Sequence, residues 1–511
     1  MGRTTVATSV TLEVMDSKWL DGRGDTEVTG RQFGILGHRT VQRYYSAMSE
    51  IHGDERLPAG SSLGPTVGDG GEIGRNSPTD ARLAAAGVLA DLRSGTLLDA
   101  AFDARAASLD ARDRRWTQEL VYGLLRRRAW LDLLLDERVR GGLARLDADL
   151  TDLLRLGAEQ LIYMRSVPPY AAIAQTVELV KQRHGLGASK LANAVLRRLD
   201  RERGNLSPAT AADPLEAMAA EHSHPRWLVA RWVARWGADD TRALLEANNR
   251  EAPLVVRPFG VVREQLEAML ETAQVRVEDA PLVGDSLQLS VGGSLTGLGA
   301  FQQGLFFVQD PAATLVTMYA AFPHGARVAD LCAAPGGKAV ELSRTASVVV
   351  AADASFARLG RLRETIARLE LPNVFPVVSD VRNPALAPLD AVLVDAPCTG
   401  TGTFRRHPDA RWRLKPNDVA VQAAAQRSIL HAAAGIVAPG GLLLYATCSL
   451  ETEENDAQVE AFLTEQPEWT LEPPPEGSVP AAVLDAGRLR VLPHKHGTDG
   501  AFAARLRRSA R

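Results

Sequence analysis

The sequence predicts a multidomain protein in which an all-α module precedes an α/β domain built on a mostly parallel, seven-stranded sheet. Three observations predict it. At Asp80 the composition turns sharply to Ala, Leu and Arg, and apolar residues recur at helical spacing as far as residue 203. After Leu305, apolar runs of strand length alternate with amphipathic helical stretches, the pattern of an open parallel sheet with helices on both faces. The first of those runs ends in a Gly-Gly turn that opens a helix, and acids stand at the ends of three later runs.

Composition sets the outer bounds. A chain of 511 residues with 45% hydrophobic and 23% charged content is an ordinary globular protein with material for several cores. Its 58 Lys+Arg against 62 Asp+Glu give a formal net charge of −4, which excludes a uniformly basic nucleic-acid coat but not a local basic face. Three cysteines without Cys-x-x-Cys spacing exclude a disulfide scaffold and leave no reason to expect a metal. No apolar stretch approaches membrane-spanning length, and nothing at the N-terminus reads as a signal peptide or a myristoylation site. The expectation is a monomer in the reducing cytoplasm.

Residues 1–78 are rich in Gly, Ser, Thr and Arg and are read as a disordered extension with no assigned function. Residues 79–205 form the helical module. Ala85, Val88, Leu89 and Leu92 share a helical face, as do Leu120, Val121, Leu124 and Leu125, and further helices are predicted at 131–135, 150–164, 171–182 and 190–199. Pro168-Pro169 and Gly185-Leu186-Gly187 are read as loops. Between Asp80 and Arg203 there are 21 Lys+Arg against 17 Asp+Glu, concentrated in Arg112-Asp113-Arg114-Arg115 and Arg126-Arg127-Arg128. Each run is read first as a solvated helix face, with RNA contact as the alternative.

Residues 206–304 are a connecting segment. His224-Pro225-Arg226-Trp227 opens two amphipathic helices, with Trp232 and Trp236 as core anchors, and strands at 254–257, 275–277 and 286–289 make a small α+β insert. Residues 305–511 form the α/β domain. Its strands are predicted at 328–331, 348–352, 374–378, 391–394 and 442–446, with 489–492 and 501–506 closing the sheet as an antiparallel pair.

The chemistry lies in that last domain. Its first strand runs into Cys332-Ala333-Ala334-Pro335-Gly336-Gly337-Lys338, which is neither a spaced Gly-x-Gly-x-x-Gly nor a Walker loop. Asp353, Asp380 and Asp395 follow the next three strands, and a carboxylate in the position of Asp353 grips ribose hydroxyls in nucleoside-binding sheets. Three acids in register with a Gly turn suit an adenosine-containing ligand of little negative charge, S-adenosyl-L-methionine rather than NAD. Cys398, in Asp395-Ala396-Pro397-Cys398, and Cys448, in Ala446-Thr447-Cys448-Ser449, follow the fourth and fifth strands. Buried cysteines are often small hydrophobes, but polar, Gly- and Pro-rich surroundings favour function here.

Two thiols beside a methyl donor suit methylation at carbon 5 of a pyrimidine. A thiolate adding at carbon 6 makes carbon 5 nucleophilic, hydrogen bonding at N3 of cytosine from a protonated acid stabilises the adduct, and a base then removes the carbon 5 proton. Asp395, Cys398 and Cys448 can supply these functions, and spacing does not say which cysteine attacks.

Residues 305–506 resemble the RNA cytosine-5 methyltransferases of the Nol–Nop–Sun family, and the helical module resembles the RNA-binding domain of the antitermination factor NusB. The resemblance rests on the 332–338 turn, Asp395–Cys398, Arg405-Arg406-His407-Pro408-Asp409, and Tyr445-Ala446-Thr447-Cys448-Ser449 running into Glu453-Glu454-Asn455. The combination is similar to bacterial methyltransferases of 16S ribosomal RNA. It implies a Rossmann-like methyltransferase domain and cofactor contacts from Cys332 to Lys338, Asp353, Asp380 and Asp395. It also implies Cys448 as nucleophile, Cys398 as the aid to product release, and ribosomal RNA as partner. The family has Ser after the first cysteine where this chain has Thr399-Gly400. An assembly or antitermination factor with a dead methyltransferase domain is disfavoured because every site residue is present. A small-molecule methyltransferase is disfavoured by the helical module and by Arg405-Arg406.

Overall fold

The structure, a computed structural model, describes residues 78–206 and 213–510; the extension expected over 1–78 lies, Pro78 apart, outside the described residues. The helical module contains α1 (Asp80–Arg93), α2 (Leu98–Arg105), α3 (Ala111–Asp136), α4 (Ala148–Ile162) and α5 (Pro169–Glu202). Local chemistry sets the starts. Asp110 accepts from Asp113 N to cap α3, Asp147 accepts from Asp149 N and Leu150 N to cap α4, and Pro169 opens α5 where no N–H is needed. The predicted apolar faces are buried, with Leu120 and Val121 at 0% exposure. The loop expected at 185–187 is instead a break at one residue. Gly185 adopts φ 80° and the helix resumes at once, because a single left-handed glycine redirects the chain without a longer turn.

The connector holds α6 (Pro214–Glu221) and α7 (Arg226–Asn249), the latter broken at Gly237, so the two predicted helices abut directly. A four-stranded antiparallel sheet follows, from β1 (Leu254–Pro258), β2 (Arg276–Asp279), β3 (Leu287–Ser290) and β4 (Phe306–Val308), in the order β2-β3-β1-β4, with α8 (Arg263–Thr272) between β1 and β2 in the chain. The fourth strand is too short to show a period. It pairs with β1 from beyond residue 304, Val256 opposite Val308.

The large sheet has nine strands where seven were predicted. β5 (Arg327–Leu331), β6 (Val348–Asp353), β7 (Val374–Val378), β8 (Leu389–Asp395) and β9 (Val437–Thr447) are parallel neighbours in the order β7-β6-β5-β8-β9. β13 (Ala501–Arg508) runs antiparallel to β9 and β12 (Arg488–Val491) to β13, completing the seven. The two extra strands, β10 (Trp469–Leu471) on β13 and β11 (Leu484–Asp485) on β12, are three and two residues long. Strand alternation sends Ala391 and Leu393 into one apolar layer and Val392 and Val394 into the other. The helices α9 (Pro311–Ala320), α10 (Gly337–Ser343), α11 (Phe356–Arg368), α12 (Pro416–Gly435) and α13 (Asp456–Glu465) cover the faces. Among the described residues, no helix is long and apolar enough to cross a membrane, and no cluster of three His, Cys, Asp or Glu could hold a metal.

Candidate active site

From β5 the chain first crosses to β6 and β7 on one side, then returns to β8 and β9 on the other. The carboxyl ends of β5 and β8 therefore flank a switch point, where open sheets leave a crevice. The 332–338 turn leaves β5 there. Cys332 sits in the left-handed region at φ 64°, a conformation that costs a non-glycine residue about 1–3 kcal/mol and recurs at ligand clamps. Gly336 needs its lack of a side chain for an internal reason as well. At φ 117° a Cβ would lie 2.4 Å from Leu362 Cδ1 of α11. The Asp353 carboxylate is buried beneath this turn, accepting from Ala334 N at 3.3 Å and Ser355 N at 2.9 Å, while Arg358 donates to Ala334 O at 2.9 Å. Asp380 is different. Its carboxylate is exposed, held by Arg382 at 2.8 Å, and its pKa is lowered to about 2 by the hydrogen bonds to that residue's side chain and backbone.

Lys338 reaches across the switch point to Asp395, with Nζ donating to Oδ2 at 2.7 Å. Burial works against the ammonium, but the charge and hydrogen bond of Asp395, with Asp330 behind it, more than offset this and raise its pKa. The acid expected to act in protonated form thus has an ammonium as partner. The acid whose surroundings favour the protonated form is Asp330, at the end of β5. It is completely buried, neither carboxylate oxygen has a hydrogen-bond partner among the described residues, and burial followed by the charge of Asp395 pushes its pKa up to about 8. Spacing had marked the turn but given Asp330 no role.

This carries a prediction. The folded pKa of Asp330 lies above the ordinary carboxyl value of about 4, so folding is progressively penalised as pH rises from about 4 to about 8. Asp330→Asn should therefore gain stability over the wild type across that window, by up to about 1.4 kcal/mol per pH unit, in denaturation measured without cofactor. A stability difference that stays constant with pH would show that Asp330 is ionised throughout.

The two candidate thiols meet. β8 and β9 are in register at Asp395 and Ala446, and Cys398 Sγ lies 3.1 Å from Cys448 Sγ. The hydrogen bond to Cys448, then burial and the nearby charge of Glu454, raise the Cys398 pKa well above the ordinary thiol value. Gly402 lets the two loops touch. It donates to Cys448 O at 2.9 Å, and a Cβ there would stand 2.7 Å from that same oxygen. Cys332 is a third, quiet thiol, pushed up to about 12 chiefly by burial and then by Asp395 and its neighbours.

Two of the basic runs, Arg405-Arg406 and Arg126-Arg127-Arg128, are engaged internally, whereas Arg112 and Arg115 of the third are exposed as a solvated helix face would be. Arg405 and Arg406 both pair with Asp310 and Asp499, in a buried four-residue network that ties the motif to α9 and to the loop before β13. They are thus not free to meet a substrate, contrary to the weight placed on them. Arg126 donates to Arg405 O at 3.2 Å, Arg127 pairs with Glu159, and Arg128 stacks over Trp412, so this run is neither a solvated face nor an open RNA site. Trp412 in turn donates to Leu125 O at 2.8 Å and packs into the helical module's core. Trp232 is buried against Phe404 as an anchor and donates to Glu451 at 3.1 Å.

The carboxyl ends of β5, β8 and β9 thus bring an acid–ammonium pair and two touching thiols to one end of the sheet. Residues 318–507 match the family described as 16S rRNA methyltransferase RsmB/F, residues 79–201 match the NusB family, and residues 224–296 match the ferredoxin-like domain of RsmF/B-like methyltransferases. The ribosomal RNA small subunit methyltransferase B of Vibrio cholerae is 36% identical over 421 residues, covering 81% of this chain and 93% of that protein. The probable ribosomal RNA small subunit methyltransferase B of Synechocystis is 33% identical over 411 residues, covering 78% and 92%. Among solved structures, PH0851 superposes with a TM-score of 0.71 at 26% identity, covering 84% of this chain and 98% of its own. A methyltransferase homologue from Pyrococcus horikoshii gives 0.50 at 26% identity, covering 58% and 100%. Similarity of this extent, running through the helical module, the insert and the α/β domain in the same order, means that the chain belongs to the RsmB/F family of 16S rRNA methyltransferases.

Proposed function

We propose that this chain transfers the methyl group of S-adenosyl-L-methionine to carbon 5 of a cytosine in 16S ribosomal RNA, through a covalent bond between Cys448 and carbon 6. The observation that supports this most is the pair of thiols 3.1 Å apart at the ends of neighbouring strands, beside the Lys338–Asp395 pair. Bound cofactor supplies an electrophilic methyl group. The residues assigned to hold it are the turn from Cys332 to Lys338, with Asp353, Asp380 and Asp395. The buried Asp330 carboxyl, unpartnered among the described residues, fits a group that brings a donor of its own.

The Cys448 thiolate attacks carbon 6, a C–S bond forms, and the C5–C6 π pair moves to carbon 5. That pair takes the methyl group, and the C–S⁺ bond of the methyl donor breaks with its electrons remaining on sulfur. Lys338, held by the Asp395 carboxylate at 2.7 Å, is assigned to donate to the cytosine edge, where negative charge arrives at N3. Cys398 assists removal of the carbon 5 proton, whose electron pair restores the double bond and expels Cys448 as thiolate. The base must leave its stack to reach the crevice, so the target is an unpaired or flipped-out cytosine.

The test is incubation of the purified chain and methyl-labelled cofactor with 16S RNA from cells lacking this gene. Label should map to a single 5-methylcytosine. Label on another base, or no label on small-subunit RNA, would overturn the proposal.

A further inference from the structure

We propose that Glu454 is a positioning residue that clamps the loop carrying Cys398 to the loop carrying Cys448 and keeps the two thiols in different roles. Those roles rest on the functional reading above; the clamp itself rests on geometry. Glu454 is 0% exposed, and its carboxylate lies where the two loops and α12 meet. Oε1 accepts from Thr399 N at 2.9 Å and from Gln426 Nε2 at 2.8 Å; Oε2 accepts from the hydroxyls of Thr399 and Ser449. Thr399 adjoins Cys398 and Ser449 adjoins Cys448, so one carboxylate holds the neighbours of both thiols. Two of the four donors are N–H groups that can only donate, which makes Oε1 an obligatory acceptor. No cation pairs with Glu454 among the described residues, although a buried carboxylate ordinarily has one.

A fully buried charge held only by neutral donors is an expensive clamp, and an amide or hydroxyl could stitch two loops more cheaply. The charge therefore has a use beyond stitching. Its field falls on Cys398, where it opposes the thiolate in concert with the contacting Cys448 thiol and with burial. The buried hydroxyl of Tyr445, itself raised by burial and by that thiol, also faces Cys398, and among the described residues no cation offsets Glu454 on this side. Glu454 therefore bears on Cys398, the sulfur in contact with Cys448, and favours its thiol form.

The test uses the full chain with Glu454→Gln, which keeps the volume and removes the charge. The turnover number for methyl transfer should fall by about tenfold or more, while the KM for RNA and the cofactor affinity change less than about twofold. Without RNA, alkylation by iodoacetamide, read peptide by peptide in mass spectrometry, should show the pH midpoint of Cys398 moving down by about one unit, with Cys448 moving less. Ser449→Ala removes one donor and retains the charge. It should lower turnover in the same direction without shifting the Cys398 midpoint, and it carries the test if Glu454→Gln does not fold. An unchanged Cys398 midpoint in a folded Glu454→Gln, or unchanged turnover in both variants, would overturn the proposal. A shifted midpoint, combined with no RNA-bound species in Cys398→Ala, would support the clamp and remove the covalent route instead.

Discussion

Cys448→Ala is expected to abolish methyl transfer, by on the order of 10³-fold or more, and to leave no RNA attached to the protein. On the proposed route the bond to carbon 6 is then missing, and carbon 5 does not become nucleophilic enough to take the methyl group. Cys398→Ala should behave differently although its sulfur lies only 3.1 Å away. It retains the thiol proposed to attack and should still transfer the methyl group, but it loses the proposed aid to proton removal, a contribution on the order of 10²–10⁴-fold. Product should therefore accumulate as a covalent protein–RNA complex carrying the methylated base. A denaturing gel of each variant with RNA and labelled cofactor reads both outcomes. A band in Cys448→Ala with none in Cys398→Ala would exchange the two assignments, and no band in either would count against the covalent route.

Arg411→Leu should lower the stability of the described unit by roughly 3 kcal/mol or more, with RNA methylation falling further than cofactor binding. The Arg411 guanidinium is 0% exposed and has no carboxylate partner among the described residues. It donates to the carbonyls of Ser223, Asn248 and Phe404 and to Asn249 Oδ1, tying the connector to the start of the 404–412 stretch. Burial, and then the charge of Arg126, lower its pKa to about 9, so it remains a cation at neutral pH. Leucine would fill most of the space but leave four acceptors without their donor, three of them backbone carbonyls that cannot turn toward water. The same stretch carries Trp412 into the helical module and follows directly on the Cys398 loop. Loosening it should disturb the thiols more than the 332–338 turn. Equal thermal midpoints for variant and wild type in calorimetry would show that other contacts hold this junction.

This junction also changes what removal of the helical module would mean. In sequence the module resembles an RNA-binding domain. In the structure its α3 meets the Arg405 backbone and Trp412, so a truncation strips packing from the catalytic side as well as any RNA contacts.

The sequence by itself determined whatever depends on near neighbours. Helical spacing with Asp110, Asp147 and Pro169 at the starts specified the module, and strand-length apolar runs specified the parallel sheet. A parallel sheet has its loops at the strand ends, so acids and cysteines that follow successive strands must converge on one edge. For that reason the placement of the 332–338 turn, Asp353, Asp395, Cys398 and Cys448 at one end of the sheet was legible in the sequence. The tertiary structure alone decided which charged group meets which. Lys338 on Asp395, Glu454 on Thr399, and Arg405 on Asp499 are separated by 57, 55 and 94 residues. No periodicity links such pairs; they are chosen by how the helices and loops pack above the sheet. The same holds for strands of two or three residues, which form only because a longer edge is already there to pair with. It holds too for Asp330, whose raised pKa comes from burial, a property of the whole fold that a residue's neighbours in sequence do not carry.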